Sequence, residues 1–112
     1  MTARLTSQIL VSSLLRRAEA AGGFGAVLAR GDAMAGAVMV ILAERGVRTA
    51  VLERLLQPDG GYAWQDSGRA GADEDAFRAA VERRRRNDPD LWLVELDVAS
   101  AERFAAAMNE AG

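Results

Sequence analysis

From about Thr6 to Ala21, apolar residues recur at helical spacing. Leu10, Val11, Leu14, Leu15, Ala18 and Ala21 fall on one face, with Arg16, Arg17 and Glu19 elsewhere. The pattern predicts an amphipathic helix stopped by Gly22-Gly23. Leu5 and Ile9 fall off that face, so either the helix starts later, at Ser12, or these two residues meet a partner. Three strand-like stretches follow. Phe24–Arg30 is short and apolar, and Gly36–Glu44 is nearly all apolar, as a strand covered on both faces requires. Val47–Leu55 alternates more. The links Gly31–Ala35 and Arg45-Gly46 are short and carry glycine, which predicts antiparallel hairpins. Pro58-Asp59-Gly60-Gly61 is a further turn, and Tyr62–Gln65 reads as a fourth strand.

After the loop Asp66–Ala72, Asp73 is placed to cap a helix running to about Arg86, with Ala76, Phe77, Ala80 and Val81 inward. Asp88-Pro89 ends it, because proline disfavours helical geometry in the residue before it. Leu91–Val98 reads as the last strand, and Ser100 as the cap of a short helix carrying Phe104 and Met108. The expectation is one α+β domain over residues 1–112, with no internal repeat. It has an N-terminal helix, an antiparallel, hairpin-built sheet of about five strands and two further helices, in the order α-β-β-β-β-α-β-α.

Composition narrows the chemistry. Half of the 112 residues are apolar and 27% are charged, enough for one core without staples. Cysteine is absent, which excludes disulfides, thiol chemistry and cysteine metal sites. Histidine is absent too, which removes the commonest general base and metal ligand. All 14 basic residues are arginine, a residue suited to bidentate contact with carboxylate and phosphate. A GC-rich coding bias accounts for the same preference. A net charge of −2 argues against bulk attraction to nucleic acid. The N-terminal stretch lacks the pattern of a signal peptide, and the longest apolar run, Ala33–Ala43, is about half a membrane span. A cytoplasmic protein without a membrane anchor is expected.

One segment stands out as a candidate contact site for a partner or an anion: Arg83, Arg84, Arg85 and Arg86, followed by Asp88, Asp90 and Trp92. Its helix opens on Asp73-Glu74-Asp75, and acids at the start with bases at the end stabilise a helix by about 0.3–1 kcal/mol each. That accounts for the charge order, though not for four arginines where two would serve. Successive helical residues diverge, so at most two of them grip one anion, and Asp88 and Asp90 are available as ion-pair partners. Trp92, at a strand start, is expected to pack in the core with its indole N–H satisfied.

Other features offer less. Gly22-Gly23-Phe24-Gly25 follows a helix and precedes a strand, the reverse of a phosphate-binding loop, and without lysine there is no standard P-loop. Ser12-Ser13 has no histidine or lysine to activate it. Asp73 and Asp75, or Asp88 and Asp90, have oxygens suited to magnesium, yet each set also reads as an ordinary helix start or turn. Tyr62 and Trp64 share a strand face near Arg69, which suits stacking on a base or plain cross-strand packing.

Three blocks together carry a family resemblance: Leu14–Glu19 with Ala21-Gly22-Gly23, Arg30–Ala33 with Ala35–Val38, and Glu82–Arg86 with Asp88–Trp92. They resemble a bacterial family, domain of unknown function 1491, typical of alphaproteobacteria. The resemblance spans nearly the whole chain, and its most specific part is the arginine-to-tryptophan block. It implies a small stand-alone cytoplasmic protein, and it brings no catalytic residues with it. The function expected is a non-catalytic binding or adaptor module acting through a protein partner or a homodimer, with no cofactor and no metal. The alternative is an RNA or phosphate binder using the Arg83–Arg86 edge, and a third reading is a carboxylate, metal-dependent hydrolase.

Overall fold

Two segments of this chain are apolar on both faces, and they occupy the middle of the sheet. The computed structural model describes residues 5–110. The element order is α1 (Ser7–Ala20), β1 (Phe24–Ala29), β2 (Val38–Glu44), β3 (Val47–Leu56), β4 (Tyr62–Asp66), α2 (Glu74–Asn87), β5 (Trp92–Asp97) and α3 (Ala101–Glu110). The five strands form one sheet in the order β1-β5-β2-β3-β4. The α+β class and element order expected from the sequence are therefore present. β2 and β5 are covered on both faces. Each fully buried Val or Leu contributes about 1.5–3 kcal/mol relative to exposure, so two such strands are most stable at the centre.

The sheet separates two apolar clusters. Val38, Val40, Leu42, Trp92, Val94 and Leu96 point to one face, against Val11, Leu14 and Ala18 of α1 and Phe104 and Met108 of α3. Met39, Ile41, Val51 and Leu93 point to the other, against Phe77 and Val81 of α2. On the first face α1 lies on β1 and β5, while α3 lies on β2 and β4.

One expected hairpin is not formed. β1 and β2 do not pair, because β5 lies between them, antiparallel to β1 and parallel to β2. The link after β1 instead crosses the end of β5 and is fastened there. The Asp32 amide donates to the Asp90 carbonyl at 3.0 Å, and the Trp92 amide to the Ala37 carbonyl at 2.8 Å. The Trp92 indole N–H donates to the Asp32 carbonyl at 2.7 Å. The other two hairpins form as expected, β2 with β3 and β3 with β4.

The helix starts are all tied in. Thr6 caps α1 by accepting from the Ile9 amide, and the Ser7 and Gln8 amides donate to the Met34 and Ala33 carbonyls. This places the start of α1 at Ser7, and leaves Leu5 and Ile9 half exposed off its buried face. Asp73 caps α2 through the Ala76 amide, as its position predicts, although Ala76 itself is exposed. Ala21, also expected to face inward, is the exposed C-cap of α1. At α3 the Ala101 amide donates to Glu44 Oε1 at 2.7 Å, while Ser100 Oγ lies 3.4 Å from the Arg103 amide.

Candidate functional site

The arginine run does not act as one group. Arg84 turns toward the sheet: its Nη2 donates to Glu53 Oε1 at 2.6 Å, and its Nη1 lies 3.7 Å from Asp88 Oδ2. Arg83, Arg85 and Arg86 are exposed on α2. Asp88 meets Arg84, whereas Asp90 contributes its backbone, its amide donating to Asp88 Oδ1 at 3.2 Å and its carbonyl accepting from Asp32. Trp92 is only 2% exposed and offers no free ring face at the surface. Arg30 lies over that ring, 5.3 Å from its centroid. The candidate segment thus divides into three solvent-facing arginines and a set of residues engaged within the fold.

The carboxylates proposed for a cation are also separated. Asp73 and Asp75 lie at the start of α2, Asp88 and Asp90 beyond its end. A helix of that length spans roughly 20 Å. Among the described residues no group of three or more carboxylates is placed to hold a metal ion. Trp64 is buried in the α3 cluster, and Tyr62 stacks with Arg54, whose guanidinium carbon is 4.2 Å from the ring centroid. The shared face of these two aromatics is therefore largely used in packing.

The feature that remains available is β1. α1 ends in two hydrogen bonds from glycine, Gly22 N–H to the Glu19 carbonyl at 3.0 Å and Gly23 N–H to the Ala18 carbonyl at 2.9 Å. With Gly22 at φ +84°, this is a Schellman termination, and it delivers the chain into β1 beside the end of β5. A side chain at Gly25 would meet Leu15 Cδ2 at 2.7 Å and Leu96 Cδ2 at 2.6 Å, so this glycine lets α1 lie close on the strand. Among the described residues, β1 pairs with β5 on one side only. Its other edge carries unpaired backbone groups. Phe24, Ala26 and Leu28 are exposed, Phe24 by 62% and Leu28 by 51%. Leu28 is the extra residue of a register shift between Val27 and Ala29. No charged residue lies within the strand.

Several organising residues carry no signal in the sequence. Arg48 donates to the Ala70 carbonyl at 3.2 Å, to the Ala72 carbonyl at 2.7 Å and to Glu74 at 3.3 Å. Its guanidinium carbon also lies 3.8 Å from the Phe77 ring centroid, so one side chain holds the loop before α2 and the start of that helix. Asp97 accepts from the Arg45 and Gly46 amides at 3.1 and 2.8 Å, bracing the tip of the β2–β3 hairpin. Asn109 clasps β4, accepting from the Trp64 amide at 2.7 Å and donating to its carbonyl at 3.2 Å. The surface clefts are open to solvent; one, of about 250 Å³, lies between Leu5, Met34, Arg54 and Tyr62.

Similarity to known proteins covers this whole framework. A crystal structure of a DUF1491 family protein from Caulobacter crescentus CB15 matches with a TM-score of 0.78 at 36% identity, covering 90% of this chain and 94% of that one. An NMR structure of a DUF1491 family protein from the same organism matches with a TM-score of 0.76 at 36% identity, over 92% and 94% of the two chains. The solution structure of protein Atu0922 from A. tumefaciens matches with a TM-score of 0.75 at 33% identity, over 91% and 92%. No curated protein matches the chain. The family model described as "Protein of unknown function (DUF1491)" matches residues 5–106, so the chain belongs to the DUF1491 family.

Proposed function

We propose that this chain is a non-catalytic binding module of the cytoplasm, engaging a protein partner by strand addition along β1. The observation that carries this reading is the edge itself: an apolar strand with one side unpaired among the described residues, and Phe24 and Leu28 exposed on it. Added strands gain affinity from main-chain hydrogen bonds and specificity from alternate side chains, and β1 presents both. The opposite edge, β4, differs, since it presents Gln65 and Asp66 to solvent. Polar and charged residues of that kind discourage pairing with another chain. Support also comes from the polar clusters. Arg48, Asp97 and Asn109 are each engaged with backbone groups of the fold rather than grouped around a reactive centre.

The test is affinity capture from source-cell lysate with the wild-type chain and with Phe24→Glu/Leu28→Glu, read by quantitative mass spectrometry. Both replaced side chains are exposed, so the variant is expected to fold. A protein retained by the wild type and lost by the variant is the expected result. Identical captured sets would overturn the reading.

A second reading, RNA or phosphate binding, keeps one observation in its favour: Arg83, Arg85 and Arg86 are exposed on one helix end. Affinity carried by phosphate contacts falls steeply with salt. RNA binding that is unchanged by salt, or by Arg85→Gln/Arg86→Gln, would remove it.

A further inference from the structure

We propose that the groove between α3 and the β3–β4 hairpin binds a basic segment of a protein partner, one that alternates cationic and aliphatic side chains. The groove lies toward the edge of the sheet opposite β1, so it does not rest on the strand-addition reading. α3 contacts β2 and β4 and so bridges β3, which lies between them. The side chains it sets along the groove include Ala101, Ala105 and Ala106, too small to fill the space over the hairpin. A cleft of about 520 Å³ is left, backed by Ala50, Leu52 and Trp64. Clefts that take ligands measure about 300–1,000 Å³. Asn109 fastens the helix to the Trp64 backbone through two hydrogen bonds, so the two walls are held together by the fold.

Charge selects the occupant. The charged residues lining this groove are Glu44, Asp66 and Glu102, and among the described residues no arginine joins them. Four other surface clefts each carry arginine: Arg54, Arg45, Arg103, or Arg85 with Arg86. Two of the three carboxylates are fixed through one oxygen. Glu44 Oε1 accepts from the Ala101 amide at 2.7 Å, and Asp66 Oδ1 from the Gly68 amide at 2.8 Å. Among the described residues none of the three is engaged in an ion pair. Nor are they grouped to hold one metal ion. Separated anions along an apolar cleft match cations spaced along a peptide. Arginine and lysine lay their aliphatic stems on apolar surface while the charged head stays in water, so such a segment satisfies the floor and the rim together.

The probe is an amidated Arg-Leu-Arg-Leu-Arg peptide with fluorescein at its N-terminus, and its binding is followed by fluorescence anisotropy. It is expected to bind at low salt and to weaken steeply toward 1 M, where the screening length falls to about 3 Å. Asp66→Asn/Glu102→Gln keeps both side-chain shapes at exposed positions. It is expected to raise the dissociation constant about fivefold or more. The same neutralisation on α2, Asp75→Asn/Glu82→Gln, is expected to change it by less than about twofold. Ala106→Phe, also at an exposed position, fills the groove with its acids intact and is expected to abolish binding. Absence of binding at low salt would overturn the inference. So would equal losses from the two neutralised pairs, which mark diffuse attraction, or undiminished binding by Ala106→Phe. Light scattering covers the remaining occupant. Self-association of the wild type, lost both in Asp66→Asn/Glu102→Gln and in Arg85→Gln/Arg86→Gln, would replace the separate partner with a second copy.

Discussion

Replacing Arg84 by methionine keeps most of the aliphatic stem and deletes a guanidinium that sits 2.6 Å from Glu53 Oε1. A hydrogen bond between charged groups is worth about 1.5–3 kcal/mol when well shielded. Here the two side chains are 33% and 21% exposed, so solvent screening lowers that figure. The contact to Asp88, at 3.7 Å and four residues away on the same helix, adds only about 0.3–0.5 kcal/mol. The expected loss is therefore about 1–2 kcal/mol for Arg84→Met. Arg85→Met and Arg86→Met remove exposed side chains and should stay within about 0.5 kcal/mol of wild type. Urea unfolding followed by fluorescence of the buried Trp64 and Trp92 would measure all three. Combining Arg84→Met with Glu53→Ala isolates the pair, with an expected coupling of about 1 kcal/mol. Equal losses for Arg84 and Arg85, or a coupling near zero, would refute the division of the run into one fold-bound and three solvated arginines.

Two further outcomes follow from the same geometry. Asn109→Ala removes both bonds to the Trp64 backbone, at a cost of about 1–2 kcal/mol, and the Trp64 amide should exchange faster with deuterium than in wild type. Arg45 sits at φ 52° ahead of Gly46 at φ 81°, a two-residue hairpin turn with both dihedrals positive, where asparagine-glycine is strongly favoured. Arg45→Asn is accordingly expected to stabilise the protein by about 0.5 kcal/mol, read as a higher denaturation midpoint.

The elements were legible in the sequence because each advertises itself locally. Helical periodicity placed α1, and the acidic start and basic end placed α2, with Asp73 capping as its position indicates. The apolar run in β2 was legible as a strand covered on both faces. What local pattern does not carry is which strands lie side by side. A short glycine-bearing link reads as a hairpin, and the link from β1 to β2 has that form, yet β5 comes from some fifty residues further along to separate them. The same limit applies to the candidate site. Phe24–Ala29 was legible as an apolar strand, but its edge position follows only from the sheet order. In the sequence Arg48 is simply one position of an alternating strand, because its partners at Ala70, Ala72 and Glu74 are distant in the chain. The arginine run was conspicuous, and only the third dimension separates Arg84 from its neighbours.

The insertion of β5 between β1 and β2 also fixes an order of events when the protein is made. A ribosome releases β1, the β2–β3–β4 meander and α2 before Trp92 emerges. Until then β1 has no strand to pair with, and β2 presents an open, wholly apolar edge where β5 will later lie. The nascent chain thus passes through a stage with two unprotected strands, and a single late segment closes both at once. Conditions that slow or stall synthesis after β2 and before β5 is released should accordingly favour aggregation or chaperone capture.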